Sequence, residues 1–461
     1  MKNLIKTSLI VSCAAIALVA CSDKSQDNKA KTDGSLIPNT AFASTYTPQT
    51  SEDFVITNAL IFDGLGGEIQ NGFIHVVDGR IAAIGDGEFQ GTVERVINAG
   101  RKPVSPGLID VHSHLGNYAS PSVHAHSDGN EATSPITSEV YAEHGVWPQD
   151  PGFDEALAGG VTTLHILPGS ANLFGGRGVT LRNVPARTVQ GMKFPDAPYT
   201  LKMACGENPK RVYGQKGGPG SRMGNVAGYR NNWIKAVEYK KKLESGKPVK
   251  RDIQLETLAG VLNGEILVQM HCYRADEMVQ IMDIAKEFGY KVSTFHHAVE
   301  SYKIGDILAK EDVCSAMWAD WYGFKMEAND GIRENIPFVH AQGACAMIHS
   351  DDSRGIQRLN QEVAKAWSDG NKVGLAIPKA EAFIWMTSNP AKALGLSEEI
   401  GSLEVGKRAD IILWTDDPFS TYARPQKVFI DGSLYLDRES GLKPRSDFLV
   451  GQNLLNNGEA N

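Results

Sequence analysis

The sequence predicts an α/β chain built around a (β/α)8 barrel, and three observations carry that reading. Apolar runs of strand length at 161–167, 199–205, 265–270, 291–295, 312–317 and 345–348 alternate with helical patterns at 153–158, 276–288 and 355–368. Repeated strand–helix units argue for a parallel sheet. About 290 residues carry the pattern, close to the roughly 250 of such a barrel. Several runs end in a histidine or an aspartate, and barrel active sites sit at the C-terminal ends of the strands.

The first of these strand ends is Pro106-Gly107-Leu108-Ile109-Asp110-Val111-His112-Ser113-His114. Residues i and i+2 of a strand share a face, so His112 and His114 project side by side. Neutral imidazole is a common ligand for zinc and related metals. Further on, His271 ends the run 266–270, His297 ends 292–296, and Asp351 follows 347–350. Each places a polar group at the mouth end of a predicted strand.

The strings PGLIDVHSHLG, HCYRADEM, HHAVESYKI and IHSDDS resemble, in order, the metal-site motifs of the amidohydrolase superfamily. Within it they look like the imidazolonepropionase-like branch, over nearly all of 54–435. The resemblance implies a metal-dependent hydrolase. His112 and His114 on strand one, His271 on strand five, His297 on strand six and Asp351 on strand eight would be its ligands. His297 is preferred to His296 because the family string reads His-Ala, and Asp351 to Asp352 because it follows Ser350 at the strand end.

Lys202 lies in the apolar run Leu201-Lys202-Met203-Ala204. Burial of a lysine is costly unless it is paired or neutralised, and it lowers the pKa. A free amine there can add CO2, and superfamily members use the resulting carbamate to bridge two metals. Carboxylated Lys202 is therefore the expected strand-four ligand, with Glu207 as its competitor. One or two divalent ions, zinc first among them, are the expected cofactors.

Asp351 is expected to act as general base toward a metal-activated water. Tyr273 and Arg274, which follow His271, are the candidate substrate-binding residues. Arg274 could grip a carboxylate bidentately or pair with Asp276. Trp318, Trp321 and Tyr322 either line a mouth pocket or pack under a loop. His124 and His126 form a second His-x-His, but Pro121, Ser122, Asp128 and Gly129 mark a loop, and His144 reads the same way. His165 reads as core, Gly175-Gly176-Arg177-Gly178 as a loop at the barrel mouth, and Lys240–Lys242 as a solvated helix face.

The N-terminus reads as an address. Lys2 and Lys6 precede a mostly apolar stretch at 9–20, too short to span a bilayer and suited to a secretory signal. It ends Leu18-Val19-Ala20-Cys21, which resembles a bacterial lipobox, so lipidation of Cys21 is expected. Ser22 in the next position suits outer-membrane sorting. The expected location is the cell envelope, lipid-anchored and facing the periplasm. Of six cysteines, Cys205, Cys272, Cys314 and Cys345 fall at or near apolar segments and read as buried thiols.

The expected organisation is a signal at 1–20, a disordered tether at 21–51 and the barrel at 106–397. Strand-rich pieces at 52–105 and 398–445 flank it, and a tail follows at 446–461. The superfamily pairs such flanking pieces in a β-sandwich. The net charge of −8 becomes −10 without Lys2 and Lys6, and such a surface repels phosphate backbones, so nucleic acid is not an expected partner. The expected partners are a small-molecule substrate and, through lipid, the membrane; an oligomer is compatible with the sequence. The expected reaction is hydrolysis of a C–N bond in a small carboxylate-bearing amide, such as a dipeptide or N-acyl amino acid. The alternatives are a cyclic amide or imidazolone hydrolase, a deaminase, and a catalytically silent barrel that serves as a surface binding lipoprotein.

Overall fold

In the computed structural model residues 42–441 are described. Cys21, the expected signal and the expected tail at 446–461 lie outside them.

Five strands open the described chain: β1 (Phe54–Phe62), β2 (Glu68–Val77), β3 (Arg80–Asp86), β4 (Arg95–Asn98) and β5 (Pro103–Pro106). Eight follow: β6 (Leu108–Ser113), β7 (Val161–Ile166), β8 (Phe174–Arg182), β9 (Thr200–Ala204), β10 (Leu267–Cys272), β11 (Val292–His297), β12 (Cys314–Met317) and β13 (Ala346–Ile348). Three close it: β14 (Ile411–Trp414), β15 (Pro425–Ile430) and β16 (Ser433–Asp437).

Strands β6 to β13 neighbour one another in chain order as a barrel sheet. Its seam is drawn together by the Asp351 amide, which donates to the His112 carbonyl at 3.0 Å. Asp110, fully buried, accepts from the Ser350 amide at 3.2 Å and from the Ser350 hydroxyl. The outer layer includes helices Pro151–Ala158, Arg222–Glu244, Ala275–Phe288 and Leu359–Lys372.

The barrel departs from an all-parallel order at β8, which runs antiparallel to both β7 and β9. This corrects the loop expected at Gly175-Gly176-Arg177-Gly178. The glycines serve close packing within a strand. A side chain on Gly178 would meet Thr200 Oγ1 at 2.5 Å, and one on Gly176, at φ +114°, would meet Val140 Cγ2 at 2.5 Å.

Strands from both chain ends form one separate sheet in the order β16-β15-β14-β5-β1-β2-β3, with β4 on β1. The join is β14 against β5, antiparallel, Ile411 opposite Pro106 and Leu413 opposite Val104. Phe54, Ile56, Ile74, Val76, Ile411 and Phe429 are among the residues of its own apolar core. Arg182, at the end of β8, binds Asp410 through both amino nitrogens at 2.6 and 2.5 Å and approaches Asp431 to 3.1 Å, all three buried.

Two further expectations need correction. Residues 42–51 are not a free tether: the Lys193 ammonium donates to the Phe42 carbonyl at 2.9 Å, the Ser44 hydroxyl to the Lys193 carbonyl at 2.6 Å, and the Tyr46 hydroxyl to Asp431. The four barrel cysteines are not thiols: Cys205 is bonded to Cys272, joining the ends of β9 and β10, and Cys314 to Cys345, joining the starts of β12 and β13. The expectation failed because it weighed chain length, which disfavours a disulfide framework, whereas adjacent parallel strands bring matched positions within bonding distance.

Candidate metal centre

At the C-terminal end of the barrel the structure brings His112, His114, Lys202, His271, His297 and Asp351 into one cluster. Nε2 of His112 and of His114 lie 3.4 and 3.2 Å from Asp351 Oδ1, and His297 Nδ1 lies 3.7 Å from Oδ2. Lys202 Nζ lies 3.4 Å from His112 Nε2. The His271 and His297 rings are 4.6 Å apart. The strand ends are bent to achieve this: His297, Ala298 and Asp351 have φ of 69°, 35° and 50°. Non-glycine residues rarely take such angles, and they concentrate at functional sites.

Hydrogen bonds fix which nitrogen each first-strand histidine presents. The Gln269 carbonyl oxygen can only accept, so His296 Nε2 donates to it at 2.6 Å. Neutral His296 then accepts at Nδ1, 2.9 Å from His112 Nδ1, which donates. His112 Nε2 is left as a lone pair facing Lys202 and Asp351. His114 Nδ1 donates to the Leu167 carbonyl at 2.8 Å, which again frees Nε2. A second hydrogen bond of this kind sets the orientation of metal-binding histidines.

The charges agree. Burial, followed by the Lys202 charge, holds His112 and His296 well below the usual imidazole range, so both rings are neutral. His271 and His297 are lowered in the same way, burial first. Burial pushes Asp351 up, but its neighbours, His114 first and then His349 and Lys202, outweigh it and hold the carboxyl below its usual value. Lys202 is fully buried and brought down to about 7 by burial, against a weaker upward pull from Asp351.

The donor set fits a divalent ion. Nδ1 of His271 and of His297 is buried with no hydrogen-bond partner among the described residues. Orphaned buried polar atoms cost about 1–3 kcal/mol each. One donor atom each of His112, His114 and Asp351 lie within 4.8 Å of one another. Imidazole with carboxylate is a set that zinc and related ions favour.

Other expectations resolve differently. Glu207 does not reach the cluster; its carboxylate sits 3.4 Å from Lys325. Arg274 is not at the site: its guanidinium grips Asp276 at 2.9 and 2.8 Å on the exterior. Tyr273 is buried, with its ring 4.8 Å from that of His271 and stacked 5.5 Å from that of His297. Asp352 accepts from the Gly355 amide at 2.8 Å, capping a turn. His165 is a satisfied core residue between Thr180 and Thr200.

Two residues of the site carried no role in the sequence reading. His349 accepts from the His297 amide at Nε2, 3.2 Å, so its neutral ring carries the proton on Nδ1. Asp110 ties the His112 amide (3.1 Å) to Ser350. Both stand two residues before a predicted ligand on the same strand end, which is the signal that could have found them.

The model of the Amidohydrolase family matches residues 266–435. A solved amidohydrolase from Thermotoga maritima MSB8 is 33% identical, covers 84% of this chain and 100% of its own, and superposes with a TM-score of 0.77. Amidohydrolase tasK of Hapsidospora irregularis is 29% identical over 74% of this chain, which spans 37% of that relative's length. The imidazolonepropionase of Fusobacterium nucleatum is 25% identical over 76% of this chain and 86% of its own. Barrel, donor set and relatives together define a hydrolase with a histidine-rich site suited to a divalent metal. The chain belongs to the amidohydrolase family.

Proposed function

We propose that this chain hydrolyses an amide-type C–N bond in a small carboxylate-bearing molecule such as a dipeptide or N-acyl amino acid, using one or two zinc-like ions. The convergence of five neutral or anionic donors, His112, His114, His271, His297 and Asp351, with buried Lys202 at one barrel mouth carries the reading. A divalent ion held there supplies Lewis acidity, which acidifies water and polarises a carbonyl. Asp351 is the proton carrier: ionised and a quarter exposed, it can take a proton from water and deliver it to the leaving nitrogen. His349, with its proton on Nδ1, can donate to the developing oxyanion. Among the described residues Lys202 has His112 Nε2 and the Pro168 carbonyl (3.3 Å) in hydrogen-bonding range and no carboxylate at ion-pair distance. That setting favours the free amine and its carbamate, which would complete a two-metal site.

Turnover of a panel of dipeptides, N-acyl amino acids and cyclic amides by zinc-loaded protein, read as released amine or ammonia, is the test. Activity that disappears with chelation and returns with metal supports the reading; no turnover of any member defeats it. The imidazolonepropionase relative favours a second reading, opening of a cyclic amide, and the same panel separates the two. The filled ligand positions oppose a silent binding barrel.

We further propose a lipid-anchored, periplasm-facing location. Lys2, Lys6, the apolar stretch and Cys21 support it, as do two disulfides, since disulfides persist in oxidising compartments. No described helix is long and apolar enough to cross a membrane.

A further inference from the structure

A substrate carboxylate needs a cation within reach of the cluster, and the expected one, Arg274, is spent on Asp276. Lys202 is sealed inside the barrel, and Arg222 is divided between Glu277 and Glu327. Lys325, on the loop that follows β12, is placed differently. Its ammonium sits 4.1 Å above the centre of the Tyr273 ring. Its polar neighbours are held loosely, Asn208 Oδ1 at 3.3 Å and Glu207 Oε1 at 3.4 Å, at or beyond the outer edge of good hydrogen bonds. An ammonium has three donors, so hydrogen-bonding capacity remains for a ligand. The side chain is one-fifth exposed, hence reachable.

Lys325 is one side chain away from the metal cluster by two routes. Asn208 accepts from it and places Nδ2 3.4 Å from His271 Nε2. Tyr273 lies under it and stacks on His297. The Tyr273 hydroxyl makes no hydrogen bond to any described residue, so it is a second donor for an incoming anion.

Beside this cation runs an aromatic shelf. Trp318 stacks on His297 with centroids 4.5 Å apart, Trp321 stacks on Trp318 at 5.8 Å, and Phe324 meets Trp318 edge-on at 5.7 Å. Trp318 is buried, its indole donating to the Ser350 carbonyl at 3.2 Å, whereas Trp321 and Phe324 are 42% and 57% exposed. The shelf thus leads from the ligand histidines outward and ends in open apolar surface.

We propose that Lys325, with the Tyr273 hydroxyl, binds the substrate carboxylate, and that the Trp318–Trp321–Phe324 shelf takes an aromatic or bulky apolar group next to it. Resting on the proposed C–N hydrolysis, this names the substrate class as acylated or peptidyl amino acids with an aromatic or large apolar side chain.

The test is calorimetric binding of 3-phenylpropionate and its neutral counterpart 3-phenylpropanamide to the zinc-loaded protein. Wild type should bind the carboxylate at least tenfold more tightly than the amide. Lys325→Met should remove that preference by weakening the carboxylate alone, and Lys325→Arg should keep most of it. Phe324→Ala should weaken both ligands several-fold, and Glu207→Gln, which removes a competing anion, should leave carboxylate binding equal or tighter. A preference retained in Lys325→Met would mean the metal holds the carboxylate, and no preference in wild type would mean nothing does; either overturns the proposal. Thermal melting of Lys325→Met separates lost binding from lost folding. Turnover of the substrate panel is scored apart: its failure removes the proposed reaction, while the calorimetric preference alone decides Lys325.

Discussion

Nδ1 of His296 stands 2.9 Å from Nδ1 of His112, inside the barrel and out of contact with solvent. The pair is the middle of a relay that starts at the Ala393 carbonyl, passes through Gln269 and ends at the lone pair of His112 Nε2. His296 is therefore a positioning residue. His296→Phe keeps the ring but cannot accept a hydrogen bond, and it should weaken zinc binding 10- to 100-fold. Equilibrium dialysis measures this, and Gln269→Leu should reproduce part of the loss. Unchanged affinity in both variants would show that the relay does not set the tautomer of His112.

Lys202 is tested by metal stoichiometry. Lys202→Ala should retain the barrel by circular dichroism yet hold one ion where the parent holds two. Added short-chain acids should restore part of the activity by supplying bridging oxygens. Elemental analysis that finds equal metal in both proteins would place Lys202 outside the coordination shell.

Asp351→Asn preserves shape and one oxygen but removes the basic form. Loss of a general base costs roughly 10² to 10⁴ in rate. Turnover should fall by that factor, with metal content changed far less. Asp352→Asn, altering a turn cap, should stay close to the parent rate. The reverse pattern would put the proton carrier one residue further along.

The disulfides predict chemistry that a thiol count reads directly. Cys205, Cys272, Cys314 and Cys345 should resist alkylation in the unfolded chain until a reductant is added. Peptide mapping should recover the pairs 205–272 and 314–345. Reduction should lower stability by about 2–4 kcal/mol per bridge, seen in denaturant midpoints. Titratable thiols at all four positions in the unreduced protein would contradict the pairing.

Anchoring through Cys21 is checked by detergent partitioning. The parent should enter the detergent phase, and Cys21→Ser should remain in the aqueous phase. Aqueous partitioning of both would remove the lipid from the picture.

Much of this site was legible because barrel geometry and chain order coincide there. A buried strand must end at the mouth, so a histidine at the end of an apolar run lands where ligands belong. That logic pointed to His112 and His271, and period two added His114, whereas the choice of His297 over His296 came from the family resemblance. It failed wherever the decisive partner lay outside the local string. Whether Arg274 faces the site or Asp276 is a matter of how the helix at Ala275–Phe288 begins, which the string alone leaves open. Residues 174–182 gave no strand signal because their glycines answer to neighbours in β9 and near Val140. Lys325 drew no attention because its meaning depends on Tyr273, 52 positions away.

The Arg182–Asp410 contact joins positions 228 apart in the chain. During synthesis, Arg182 emerges long before the acids that receive it. Until they arrive, seating β8 would strand a desolvated cation, so the third stave of the barrel waits for the last part of the polypeptide. A chain that ends before residue 410 should therefore seat β8 poorly and be cut by proteases faster than the full chain.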